Sequence, residues 1–230
     1  MIEKTEGNQR WAGLLFLILA GLFIGALITC NLIANKFVSI DLGFKTFRVS
    51  AGVIPYPLTF LITDLLSEIY GRKNTSAVVV AGFFASLLTL FILYLGNSFP
   101  ALESSPVSED QYQQVFQNSG RVIGASMLAY LVAQLVDVRV FHFFKSKTKG
   151  RYLWLRNNFS TVFSQLVDTI LVTTVIFIGL RSTGFIVNLI LDGWLFKILF
   201  AAADTLVIYP LVFAIRRYFK LSASQEIKLL

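Results

Sequence analysis

Cysteine, histidine and charge are all scarce in this chain of 230 residues. Cys30 is the only cysteine, which excludes a disulfide framework. With His142 as the only histidine, the chain cannot supply the ligands of a haem pair or a structural zinc site. No glycine-rich phosphate loop is present, so the chain hydrolyses no nucleotide itself. Charged residues make up 14%, where soluble domains carry about 25%. Hydrophobic residues make up 56%, and the mean hydropathy is +0.71. Folded in water, such a chain would expose mostly apolar surface, so a soluble domain is excluded. Disorder is excluded by the same figures. What remains is a polytopic membrane protein.

Six stretches are long enough to cross a hydrocarbon core about 30 Å thick, which takes roughly 20 helical residues. They run over 12–34, 50–70, 76–96, 122–144, 158–180 and 194–215. The first is too long for a signal peptide, and no small-residue cleavage site follows it. Between the first two spans, Val38–Val49 alternates apolar and polar residues around Asp41-Leu42-Gly43, which predicts a short hairpin packed on the bundle. With the N-terminus inside, 13 of the 20 lysines and arginines fall in cytoplasmic segments, among them Arg72, Lys145, Arg156 and Arg216. Arg139 and Lys197 lie within spans. The net charge of +7 is therefore a topology signal and not a nucleic-acid footprint. The expected fold is an all-α bundle of six transmembrane helices, N-in and C-in, forming one domain over 1–230 with an extracytoplasmic hairpin between helices one and two.

The informative residues are those the bilayer should reject. Asp64 and Glu68 lie in span two, Gln134 and Asp137 in span four, Gln165 and Asp168 in span five, and Lys197 and Asp204 in span six. A mid-bilayer charge costs at least about 2.5–3.5 kcal/mol on insertion scales, so such residues face the bundle interior and mark function. Their spacing agrees. Ser126, Tyr130, Gln134, Asp137 and Phe141 form one helical stripe, as do Thr161, Gln165, Asp168 and Val172, and Lys197, Ala201, Asp204 and Ile208. Gln-Leu-Val-Asp occurs twice, at 134–137 and 165–168, on oppositely directed spans, which suggests a transporter-like site between them. Lys197 and Asp204 are candidate charge partners for other spans, Lys197 towards Asp168 for example. Pro55 and Pro57 either free carbonyls for an outer vestibule or simply open span two, and Asn31 and Asn35 face the same outer level.

Catalysis finds no support. The nearest nucleophile pattern, Gly124-Ala125-Ser126, stands sixteen residues from His142 on one helix, about 24 Å along the axis, far beyond dyad contact. No metal or cofactor is expected.

Pro57-Leu-Thr-Phe-Leu-Ile-Thr-Asp-Leu-Leu-Ser-Glu-Ile-Tyr-Gly-Arg-Lys73 is a recognisable stretch. With Arg121 and Ser126, Ala133–Asp137, Trp154–Asn157, Ser164–Thr169 and Lys197, it resembles the queuosine-precursor transporter family, also called the vitamin uptake transporter family, of bacterial inner membranes. The resemblance implies uptake of 7-cyano-7-deazaguanine or its aminomethyl relative. It implies substrate binding by Asn31, Asp64, Glu68, Gln134, Gln165 and Asp168, with Asp64 or Asp168 on the two-donor edge of the base. Asp137, Arg121, Lys197 and Asp204 are then coupling groups or charge partners. Proton symport, passive uptake, or service as the substrate-binding component of an energy-coupling-factor importer are the mechanisms left open. The candidate partners are a second copy of the chain and a separate ATPase module. The competing class is a structural membrane protein whose polar stripes only lock helices together.

Overall fold

The computed structural model describes residues 6–34, 36–41, 43, 45–116, 120–222 and 225–229, without the side chains of 6, 37, 48 and 121–123. Its elements, in chain order, are α1 (Glu6–Leu32), β1 (Phe37–Asp41), β2 (Thr46–Ser50), a 3-10 turn (Ala51–Val53), α2 (Tyr56–Asn97), α3 (Glu109–Phe116), α4 (Gly120–Lys147), α5 (Leu153–Phe177) and α6 (Thr183–Tyr218). Five helical stretches are long and apolar enough to cross a membrane. Helices suit that environment because they satisfy every backbone group within the segment. Lateral exposure is inverted relative to a soluble protein. Leu206 is 80% exposed and Phe84 63%, while Asp64, Gln134 and Asp137 are buried to 1% or less. The apolar outer faces suit lipid and the polar groups line the interior.

The second apolar stretch, at 47 residues, is twice the length one crossing needs. It is two helices folded back on each other at Gly71, whose φ of 79° and ψ of 171° are not helical. Both arms run along α1. In the first, the Tyr70 hydroxyl donates to the Ala12 carbonyl at 2.8 Å, and Gly52, just ahead of the arm, presses on Cys30 near the other end of α1. In the second, Gly82 sits against Phe23 and Leu27, eleven to fifteen residues further along α1 than Ala12. A straight continuation beyond Gly71 would have run past the start of α1. The expected spans over 50–70 and 76–96 are thus the two arms of α2, and the loop expected between them shrinks to a single residue.

The hairpin forms where the alternation predicts it. Phe37 pairs with Ser50 and Asp41 with Thr46, and Asp41 Oδ1 accepts from the Gly43 amide at 3.0 Å. Phe47 is buried on Phe196, ring centroids 5.2 Å apart, and Lys45 reaches Asp192 at 2.5 Å, so the hairpin packs on α6 in its third and fourth turns. Pro55 and Pro57 sit at the N-cap and in the first turn of α2, so they open the helix. Helix α6 begins at Thr183, eleven residues ahead of the expected span, because Ser182 caps it and the apolar run 185–191 continues the turn. The short α3, with Glu109 and Asp110 in its first turn, lies in the loop after α2 and was not expected.

The core is formed by Phe23 and Leu27 of α1, Leu66, Ile69 and Val79 of α2, Tyr130 and Phe141 of α4, and Ile208 of α6. Tyr130 ties the second arm of α2 to α4 by donating to the Val79 carbonyl at 2.9 Å.

Candidate functional site

The interior polar groups fall into three tiers along the first arm of α2 and the antiparallel α5. Tyr56 to Glu68 on one, and Arg156 to Asp168 on the other, are each twelve residues, about 18 Å of helix.

The tier near the hairpin is an ion pair. Lys197 Nζ stands 2.5 Å from Asp168 Oδ2, and the Tyr56 hydroxyl donates to Asp168 Oδ1 at 3.4 Å. The ammonium also lies 5.3 Å over the Tyr56 ring. Asp168 therefore has a partner on each oxygen.

The opposite tier, beside Gly71, is centred on Glu68. Arg156 grips both carboxylate oxygens, with Nε 3.0 Å from Oε2 and a terminal nitrogen 2.7 Å from Oε1. Arg216 of α6 also donates to Oε1, and Lys145 of α4 lies 3.8 Å from Oε2. Arg156 donates further to the carbonyls of Gly150 and Arg151, and its guanidinium lies 5.6 Å from the Phe141 ring centre. Lys145 donates to the Ser67 and Glu68 carbonyls and pairs with Glu226 at 2.8 Å. The Ile227 amide completes the closure by donating to the Ile69 carbonyl at 2.7 Å. Glu68 thus joins α2, α4, α5 and α6. Arg156 and Arg216, expected as loop cations, are drawn inward. The signal for this was Glu68 itself, an intramembrane carboxylate with no cation on its own arm of α2, 56–70.

Between these tiers lies a layer with carboxylates and no bonded cation. The Asp64 and Asp137 carboxyls face each other, with Asp204 acting electrostatically on Asp64. Ser164 donates to Asp137 Oδ1 at 2.9 Å. Gln134 accepts from Thr63 at 3.2 Å and donates to Thr59 at 3.4 Å, which locks its amide between α2 and α4. Both oxygens of Asp64, Oδ2 of Asp137, Oε1 of Gln165 and Oδ1 of Asn157 are buried with no hydrogen-bond partner among the described residues. Leaving a buried acceptor unpaired costs about 1–3 kcal/mol, more for a charged one, so a layer of them calls for a ligand rich in donors.

Of the residues singled out from sequence, the structure sets Asp64 against Asp137 with Asp204 acting on it, and Gln134 on the neighbouring Thr63; Gln165 is buried on α5 next to the Ser164 that bonds Asp137. Asp168 and Lys197 stand one tier away and Glu68 another. Asn31 is exposed near the end of α1 and does not join the cluster. Asn35 and the Arg121 side chain lie outside the described residues. The two Gln-Leu-Val-Asp segments do not meet as matching halves: Asp137 bonds Ser164, the residue before the second copy. Thr59, Thr63, Tyr56, Asn157 and Ser164 were missed as site residues because hydroxyls and amides in membrane helices usually bond locally. No group of three or more His, Cys, Asp or Glu arranged to hold a metal occurs among the described residues.

The family described as "Putative vitamin uptake transporter" matches residues 50–211, which holds all of α2, α4 and α5 and every tier residue named above except Arg216, Glu226 and Ile227 of the Glu68 cluster. The chain belongs to that family. Two relatives carry matching names. A "Probable queuosine precursor transporter" of Bacillus subtilis (strain 168) is 32% identical over 167 residues, 72% of this chain and 71% of the relative. The "Queuosine precursor transporter" of Escherichia coli (strain K12) is 29% identical over 169 residues, 71% of this chain and 68% of the relative. No solved structure matches the chain. As a vitamin uptake transporter family member the chain is a transporter and not an enzyme, which accords with an interior of carboxylates, amides and hydroxyls spread over four helices.

Proposed function

We propose that this family member carries a queuosine precursor, 7-cyano-7-deazaguanine or its aminomethyl relative, across the bacterial inner membrane into the cytoplasm. The names of the relatives support the substrate class. The observation that carries the assignment of the site is the contrast between two acids. Asp168 has both oxygens engaged by Lys197 and Tyr56, whereas the buried Asp64 meets only the carboxyl of Asp137, and no cation, hydroxyl or amide of the described residues donates to its oxygens. A deazaguanine presents a ring N–H beside an exocyclic amine, two parallel donors that one carboxylate accepts bidentately. Asp64 takes that edge in this reading. Asp137 and Gln165 offer acceptors to the remaining ring donor or to an aminomethyl group, and Gln134 orients the ring carbonyl side.

The outer and inner tiers then serve as the two closures of an alternating-access path. The outer one is the Asp168–Lys197–Tyr56 group under the hairpin, and the inner one is the Glu68 cluster. The excess of lysine and arginine beside the inner tier supports an N-in, C-in orientation. A proton carried between Asp64 and Asp137 would provide coupling.

Binding of 7-cyano-7-deazaguanine to the purified protein tests the site. A charge-assisted hydrogen bond contributes about 1.5–3 kcal/mol, so Asp64→Asn should weaken binding roughly ten- to a hundredfold. A 7-deazapurine lacking the exocyclic amine should bind the unaltered protein less tightly by a similar factor. Undiminished binding by Asp64→Asn would remove Asp64 from the role. In proteoliposomes, uptake that ignores an imposed proton gradient would exclude symport.

A further inference from the structure

Beside the turn at Gly71, and outside the three tiers, a cleft of about 500 Å³ opens between the start of the second arm of α2 and the last turns of α4. Its walls carry Arg72, Arg139, His142 and Ser146, with Val140 and Phe143 as the apolar part. A smaller hollow of about 240 Å³ shares His142 and Ser146 and adds Lys149, Lys145 and Glu226.

The larger cleft has cationic and donor groups without an internal counterpart. Neither Arg72 nor Arg139 makes an ion pair with a described residue, and Glu226, the carboxylate lining the adjoining hollow, is engaged by Lys145. His142 Nε2 is buried without a hydrogen-bond partner among the described residues. Arg139 is the most telling. It lies two turns inside α4, about 9 Å along the axis from Lys145, on an exposed face of an apolar helix. An arginine at that depth is tolerated by bending its head towards the interface and meeting an anion there. Phe143, 56% exposed, continues the wall as an apolar surface at the same level.

We propose that this cleft is a binding site for the phosphate of an anionic phospholipid. Arg72 and Arg139 hold the phosphodiester oxygens, His142 donates to the headgroup, and an acyl chain lies along Phe143 and Val140. Guanidinium groups suit this ligand because their planar donors match phosphate oxygens in pairs. The side of the molecule agrees as well, since basic pockets between helices at the cytoplasmic interface take phosphorylated headgroups. The site is separate from the proposed substrate path, so it stands or falls independently of the substrate.

Native mass spectrometry of the whole protein, released from micelles doped with cardiolipin, phosphatidylglycerol or phosphatidylcholine, reads the site directly. The expected result is one anionic lipid retained in preference to phosphatidylcholine, with at least a fivefold drop in the retained fraction for Arg72→Gln/Arg139→Gln. Millimolar inorganic phosphate should leave retention unchanged. Equal retention of anionic and zwitterionic lipid by the unaltered protein would overturn the proposal, and that comparison needs no variant to fold. Equal retention by the double variant would overturn it too. Displacement of the lipid by inorganic phosphate would assign the cleft to the free ion and end the lipid reading.

Discussion

Asp64 and Glu68 stand one helical turn apart on the same face, yet the residues around them give them opposite work. Glu68 is saturated by Arg156, Arg216 and Lys145, so its charge is compensated and its carboxylate holds four helices together. Asp64 faces another carboxylate. Opposite responses to the same chemical change follow. Glu68→Gln leaves Arg156, itself 1% exposed, without its counter-charge, and breaking a buried pair in this way costs about 3–5 kcal/mol. The variant should melt well below the unaltered protein in a detergent thermal-shift assay, and an unchanged melting temperature would show that Glu68 does not clamp the helices. Asp64→Asn, in contrast, removes one of two facing carboxylates and supplies an amide that can donate to Asp137. Its melting temperature should hold or rise even as binding falls, the trade-off expected where a site is held in a destabilised arrangement. A large drop in melting temperature for Asp64→Asn would mean that the residue is structural. The sequence made both acids visible, since intramembrane carboxylates are costly wherever they occur. It could not separate their roles, because the decisive partners come from α4, α5 and α6, up to 148 residues away along the chain.

At the scale of elements, hydropathy found the long apolar helices, but not where the longest of them begin or turn. The turn at Gly71 is the clearest case. Gly-Arg-Lys reads as a short polar loop, and hydropathy alone does not show that one left-handed residue is enough to reverse the chain. Here φ is positive, and a side chain at 71 would also collide with Glu226, which packs against the turn while pairing with Lys145. A backbone with φ 79° and ψ 171°, a region open essentially to glycine alone, costs an L-residue about 1–3 kcal/mol, and displacing Glu226 adds to that. Gly71→Ala should therefore lower the melting temperature and loosen the inner closure. Hydrogen exchange at 225–229 and 69–72 would report it as faster exchange confined to those segments. Equal exchange in both proteins would show that the turn tolerates a side chain. The hairpin between α1 and α2 was legible for a simple reason: alternation and a turn dipeptide are local signals, and the strands pair with each other. The early start of α6 was less legible because the residues from Thr183 to Asp192 mostly face outward and carry no interior stripe to mark them. Leu189 and Leu191, for example, are exposed.

The whole molecule combines two closed ends with a polar layer between them, and the reading as an importer depends on which end faces the cytoplasm. Twelve described lysines and arginines, from Arg10 to Lys228, lie in the segments at the Glu68 end, and Glu103, Glu109 and Asp110 occupy the loop at the other end. Basic segments are retained on the cytoplasmic side during insertion, so this asymmetry predicts an N-in, C-in bundle without reference to any ligand. The single cysteine makes the orientation easy to measure. Cys30 is buried, 4% exposed, so Cys30→Ala provides a thiol-free background at small cost in packing. Ser104→Cys, exposed in the loop after α2, should react with a membrane-impermeant maleimide added to intact cells. Lys147→Cys, exposed at the end of α4, should react only after the cells are permeabilised. The reverse pattern would put the Asp168–Lys197 tier and the hairpin inside. In that case the two closures would exchange roles, and the acids of the middle layer would load their ligand from the cytoplasm.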